Sequence, residues 1–175
     1  MATVDRWFVR TAVPDDVAAV CGFGETHVVA HYAPLIGEEA AAEQVRTWWE
    51  ESHIGAAVAA GQVVVAVAVA DGEVVGVGQR GRSGEDHVIY KLYVAPDHRG
   101  AGLGPRLVDA LVAQLPPDVD RVAIEHFAAN ERAGAFYERE GFRVERVERS
   151  PSGDPARDVV WRARAVQRPS GAAGG

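Results

Sequence analysis

Arg99 and the glycines at 100, 102 and 104 lie in the stretch L-Y-V-A-P-D-H-R-G-A-G-L-G-P-R-L, Leu92 to Leu107, the segment of this 175-residue chain best suited to chemistry. The apolar residues before the loop read as a β-strand, and those after it open a helix. A glycine-rich junction of this kind holds phosphate. Glycine lets the main chain approach an anion, and the first N–H groups of a helix have no intrahelical partner and sit at the positive end of its dipole. Arg99 adds a charge-assisted donor suited to a pyrophosphate. A triphosphate-cleaving loop would need G-K-[ST], yet Gly104 is followed by Pro105 and Arg106. A dinucleotide fingerprint would need G-x-G-x-x-G in an early βαβ unit, whereas these glycines are spaced differently and lie past the middle of the chain. What fits is R-x-x-G-x-G, at Arg99, Gly102 and Gly104, behind an L-Y-V-x-P strand end.

A second block, N-E-R-A-G-A-F-Y-E-R-E-G-F from Asn130, puts Ala133, Phe136 and Tyr137 on one helical face, with Gly141 at the helix stop and Phe142 opening a strand. In this order the two blocks resemble the acyl-coenzyme A signature and the N-x-x-A-x-x-F-Y-x-x-x-G-F pattern of the GCN5-related N-acetyltransferase (GNAT) superfamily. The resemblance extends over residues 6 to about 165, and its specific part is 92 to 142. It implies an α/β fold with a mixed sheet, antiparallel N-terminal strands and parallel, splayed central strands flanked by helices. It also implies acetyl-CoA as cosubstrate. The pantetheine arm would lie between the splayed strands and pair with free main-chain groups of Leu92 and Val94 as a missing strand would. The pyrophosphate would rest on Arg99, Gly100, Ala101, Gly102, Leu103 and Gly104, with Pro105 removing one N–H from the set. Asn130 would cap the following helix, which is explanation enough for it, with a second role in reaching the coenzyme.

Acyl transfer to an amine requires the amine deprotonated, the thioester carbonyl polarised and the departing thiolate protonated. By resemblance, Tyr137 is the general acid, or else its ring fills a gap under the cofactor. Polarisation falls to the N–H of Val94. Glu125 stands in an E-x4-N-x6-Y spacing similar to the bacterial ribosomal-protein N-terminal alanine acetyltransferases, whose base glutamate has the matching position; the competing reading has it orienting water or pairing with an arginine. Glu85, Asp86 and His87 are the reserve bases. His126 faces away from Glu125 along a strand and reads as structural, and His98 reads as a solvated loop residue. The acceptor falls to the first two helices and the loop joining the last strands; Tyr32, Trp48 and Trp49 offer an aromatic wall over an amine there, although paired tryptophans on a helix more often pack into a core. Cys21 lies in the first helix away from both blocks, so direct transfer within a ternary complex is expected rather than an acyl-cysteine. A non-catalytic acyl-CoA sensor or scaffold is the alternative.

The elements that must position these residues are read from pattern and turn chemistry. Phe8 to Arg10 is a strand, residues 15 to 32 a helix interrupted near Gly22 and Gly24, and Glu38 to Glu51 a second helix. Val63 to Ala70, Asp71-Gly72 and Glu73 to Gln79 make an antiparallel hairpin. Strands at 88–94, 121–127, 142–148 and 159–164 and helices at 105–115 and 133–139 follow, and their alternation predicts parallel pairing in the second half.

The length suits one domain over residues 1–168, followed by a disordered Pro- and Gly-containing tail at 169–175. A formal charge of −7 argues against a nucleic-acid partner, and no apolar run approaches a membrane span. One cysteine excludes an intramolecular disulfide and a cysteine-based metal cluster, and no metal is expected. The N-terminal residues lack an apolar core and a small-residue cleavage site, so a cytoplasmic location is expected. Lys91 is the only lysine among 18 basic residues, a bias read as coding composition rather than chemistry. Homodimers are common in the family that the chain resembles, and the sequence leaves that open, as it does the choice between a small-molecule amine and a peptide N-terminus.

Overall fold

Asp71 and Gly72 turn the chain as their types require, with the Asp71 side chain accepting from the Glu73 N–H at 2.9 Å. The β-branched runs on either side become strands β2 (Val63–Ala68) and β3 (Val74–Ser83), antiparallel with Val65 opposite Val77. The computed structural model describes residues 5–168; the tail expected to be disordered lies outside the described residues. Strand β1 (Trp7–Thr11) adds antiparallel to β2, and β4 (Asp86–Val94) to β3. The second of these hairpins, turning at Ser83 to Asp86, was not expected from the sequence.

Beyond β4 come α5 (Leu103–Ala113), β5 (Arg121–Phe127), α6 (Glu131–Arg139), β6 (Arg143–Glu148) and β7 (Val159–Ala165). The seven strands form one sheet in the order β1-β2-β3-β4-β5-β7-β6. Only β4 and β5 run parallel, joined by the α5 crossover. The parallel pairing expected for the rest of the second half is therefore corrected: β7 is antiparallel to both β5 and β6. The β6–β7 connection carries only a 3-10 turn, too short for a parallel crossover.

The N-terminal helices also differ from expectation. A 3-10 turn at Pro14–Asp16 leads into α1 (Val17–Phe23), and the chain passes Gly22 and Gly24 without breaking, through one π-helical turn at Gly24–Val28, into α2 (Val29–Ile36). Helix α3 (Glu38–Trp48) stops earlier than its pattern suggests, and a further helix, α4 (Glu51–Ala59), follows at once. The break is made by Glu50, whose carboxylate accepts from the N–H groups of His53 at 2.6 Å and Ser52 at 3.1 Å, satisfying the first turn of α4.

All six side chains of β2 are buried, because both faces of the sheet are covered. On one face Leu107 and Leu111 of α5 lie against Gly76 and Gly78, whose cross-strand partners are Val94 and Leu92. Alternation turns Tyr93 and Lys91 to the other face, where Trp49 covers them. Phe142 is fully buried where α6 ends, its ring against Tyr137. Phe142→Ala should lower the unfolding free energy by about 3 to 5 kcal/mol, read as a shift of the urea midpoint at constant slope. A loss under about 1 kcal/mol would mean that this junction is loosely packed.

Candidate active site

The glycine loop owes its shape to two residues. Gly100 and Gly102 have φ of 78° and 83°, where a Cβ is strained. Gly102 is the N-cap of α5 in left-handed conformation, and no side chain caps that end. The N–H groups of the first turn, Pro105 excepted, are thus left to whatever lies in front of the helix. Gly104 has another role: a Cβ there would come within 3.0 Å of the Phe136 ring, so its hydrogen lets α5 and α6 touch. Arg99 ties the loop to the strand before it, donating from Nε to the Val94 carbonyl at 3.1 Å. Burial, and then the neighbouring Arg132, hold the Arg99 guanidinium below its ordinary pKa, as expected where two cations face a site for an anion. Arg106 turns away, its guanidinium 4.8 Å from the Trp7 ring centroid.

Strands β4 and β5 are partners only at Val88 with Ala123 and Ile89 with Ile124, and then diverge. The Ala95 N–H donates to the Val75 carbonyl at 2.8 Å, which fixes the phase of the β3–β4 ladder. By alternation Tyr93 is held by β3, while the main-chain groups of Leu92 and Val94 point away from β3 into the gap. That gap is part of a cleft of about 1030 Å³ that runs from the glycine loop past Glu125 and Tyr137 to Trp48 and His53.

Tyr137 is buried on α6, its ring 5.7 Å from His126 and 6.1 Å from Phe142 between centroids. Burial, with Tyr32 adding to it, pushes the phenol pKa far above the ordinary tyrosine value, so the hydroxyl keeps its proton at neutral pH. Asn130, also buried, caps α6 by accepting from the Ala133 N–H at 3.3 Å. Glu125 lines the cleft half-buried and makes no ion pair among the described residues. His126 is occupied elsewhere: its Nε2 accepts from Arg162 Nε at 3.1 Å, which leaves Nδ1 to donate to the Phe127 carbonyl at 2.9 Å. His98 ends a 3-10 turn at the rim of the cleft. Glu85, Asp86 and His87 stand at the far end of the β3–β4 hairpin, outside the cleft, and the structure does not bring them to Tyr137.

The aromatic wall divides. Trp49 is buried, stacked on Phe23 and edge-on to Tyr93 at 5.4 Å. Gly24 lies against its indole so closely that a Cβ would sit 2.6 Å away. Trp48 is 48% exposed at the cleft rim, edge-on to His53 at 5.3 Å. Tyr32 is buried, and its hydroxyl is engaged with that of Tyr93 at 2.5 Å rather than turned to an acceptor. Sequence reasoning missed Tyr93, Gln79 and Lys91. Lys91 is buried in the cleft wall, its Nζ donating to Gln79 Oε1 at 2.8 Å and lying 5.4 Å from the Trp49 ring centroid. A lone lysine at an inward position of the apolar strand V-I-Y-K-L-Y-V was the available signal.

Residues 61–144, which hold the loop, Glu125 and Tyr137, match the family model described as an acetyltransferase (GNAT) domain. Among solved structures, the PaiA N-acetyltransferase of Thermoplasma acidophilum in complex with coenzyme A superposes with a TM-score of 0.72, covering 89% of this chain and 97% of that one at 15% identity. A GCN5-related N-acetyltransferase of Rhodopseudomonas palustris gives 0.70, covering 94% and 99% at 20% identity. YjaB of Escherichia coli, in its apo form, gives 0.68, covering 90% and 96% at 22% identity. At such identities the likeness is one of fold. A comparison with curated protein sequences finds no match.

Burial holds the Glu125 carboxyl above the ordinary glutamate range; Glu148 adds to the rise, while Arg146 and Lys91 oppose it. The folded protein therefore binds this proton more tightly than the unfolded chain does. Stability falls as pH rises from the ordinary glutamate value through the folded one. Glu125→Gln removes that penalty, so the variant should melt above the parent at about pH 7 and lose its advantage at about pH 4. Thermal unfolding followed by circular dichroism reads this, and a difference constant across the range would mean that the carboxylate is not held under strain.

Proposed function

We propose that this chain belongs to the GCN5-related N-acetyltransferase superfamily, whose domain model its residues 61–144 match, and that it transfers an acetyl group from acetyl-CoA to a primary amine by direct transfer in a ternary complex. The observation that carries the reading is the open main-chain edge of β4 at Leu92 and Val94, continuous with the uncapped first turn of α5. An extended, amide-bearing arm that ends in a diphosphate fits that sequence of donors and acceptors, and acetyl-CoA supplies such an arm with an activated thioester at its tip. The PaiA structure with coenzyme A supports the same reading by likeness of fold.

The residues then divide the work. Leu92 and Val94 pair with the pantetheine amides, and the Val94 N–H polarises the thioester oxygen. Arg99, with Gly100 through Gly104, holds the pyrophosphate, and Asn130 keeps α6 in register beside it. Glu125 takes a proton from the acceptor ammonium through water; its raised pKa makes it a stronger base than an exposed glutamate. As the new N–C bond forms and the C–S bond breaks, the Tyr137 hydroxyl gives its proton to the departing sulfur, and the second proton shed by the attacking nitrogen restores the phenol. The acceptor is a small-molecule amine or a peptide N-terminus. No helix of the described residues is long and apolar enough to cross a membrane. A cytoplasmic location is part of the proposal.

Thiol release from acetyl-CoA with a panel of amines tests the activity; binding without release would support a sensor instead. Tyr137→Phe should lower kcat by about 10²-fold while the Kd for acetyl-CoA stays unchanged, and an unaltered kcat would remove Tyr137 from the acid role. For Glu125→Gln, the ratio of parent to variant rate should decline as pH rises, because the amine then loses its proton unaided. A flat ratio would mark a glutamate that serves only the fold.

A further inference from the structure

Lys91 is 6% exposed, and its hydrogen bond in the structure goes to the neutral side chain of Gln79. An ammonium buried this deeply without a paired carboxylate is costly, and burial has pushed its pKa down to about 8, with Glu125 opposing the fall. One donor of Nζ is used by Gln79 and one side of it faces the Trp49 ring, so the arrangement leaves a donor for a further partner in the cleft. The same wall carries Trp48, His53, Arg80 and Arg82. Burial, and then the field of Lys91, hold His53 below its ordinary pKa, so it stands there neutral. Arg80 is committed to Gln114 Oε1 and to the Gly61 carbonyl, and Arg82 to His87 and the Gly84 carbonyl. They add positive potential without offering a free fork. The acidic residues that line the cleft are Glu125 and, just past the end of α6, Glu140. This basic cluster is separate from Arg99 and Arg132, which attend the glycine loop.

Resting on the reading of the chain as an acetyltransferase, we propose that Lys91 anchors a carboxylate of the acceptor, which is therefore an amino acid or similar small amino carboxylate rather than a polyamine. The amine lies toward Glu125, the carboxylate on Lys91 beside Gln79, and the side chain against Trp48. A polycation would instead bring its remaining charges against Lys91, Arg80 and Arg82, where like charges repel. An acceptor carboxylate gives the buried ammonium a directly bonded anion beyond the field of Glu125, and the decarboxylated amine offers none.

The test uses pairs of acceptors that differ only in the carboxylate. Thiol release from acetyl-CoA is followed with phenylalanine against phenethylamine and with alanine against ethylamine, with spermidine as the polycation. The expected kcat/KM is about 30-fold or more higher for each amino acid than for its decarboxylated partner. Lys91→Met should raise KM for phenylalanine and narrow its preference over phenethylamine, and Lys91→Arg should restore part of it. An unchanged Kd for acetyl-CoA shows that the variants are folded. Equal use of both members of each pair, preference for spermidine, or equal losses for both members in Lys91→Met would overturn the inference and leave the transferase reading intact. Acetyl-CoA binding with no thiol release from any acceptor would overturn both.

Discussion

The organising constraint is that two parallel strands stop pairing. A parallel ladder that continued past Ile89 would satisfy the inner edge of β4 internally and close the molecule. Because β4 and β5 part there, the main-chain polar groups of Leu92 and Val94 are left without strand partners in the middle of a sheet, where unpaired polar groups are expensive, and only the Val94 carbonyl finds a donor, Arg99 Nε. The remainder of the site follows from that gap. The glycine loop follows β4 after one 3-10 turn, Glu125 is the first residue of β5 past its last partner on β4, and Tyr137 of α6 lines the opening.

The gap stays open because both sides of it are braced. On the β4 side, Trp49 is wedged between Gly24, Phe23 and Tyr93, so α1 and the α3–α4 junction hold the strand from one face. On the other face Leu107 and Leu111 of α5 lie on the glycines of β3. On the β5 side, the full antiparallel ladder with β7 and the bond between Arg162 and His126 keep that strand with its own partners. The opening therefore lies between two strands that are each paired and packed on their own outer side.

Much of this was legible in the residues. Asp71-Gly72 announced its hairpin, the order of glycines and arginine announced the loop, and Asn130 announced the cap of α6. What was not legible has local causes. The break before α4 is capped by a glutamate, a type that pattern reading takes as helix interior, so the W-W-E-E run looked continuous. Gly22 and Gly24 looked like interruptions, yet α1 and a π turn run through them, and Gly24 is small because an indole presses on it. The second hairpin was hidden because R-G-R-S-G-E-D gives a polar loop no strand periodicity. Lys91 was visible as a letter, but its burial depends on Trp49 arriving from the α3–α4 junction more than 40 residues earlier, a long-range contact that no local pattern reports.

The contact of Gly104 with Phe136 joins the helix that begins at the glycine loop to the helix that carries the neighbouring Tyr137. A methyl group at position 104 would press on the Phe136 ring, so the two helices meet directly at this point. A single hydrogen atom in place of a methyl group thus lets the glycine loop and the tyrosine-bearing helix pack as neighbours.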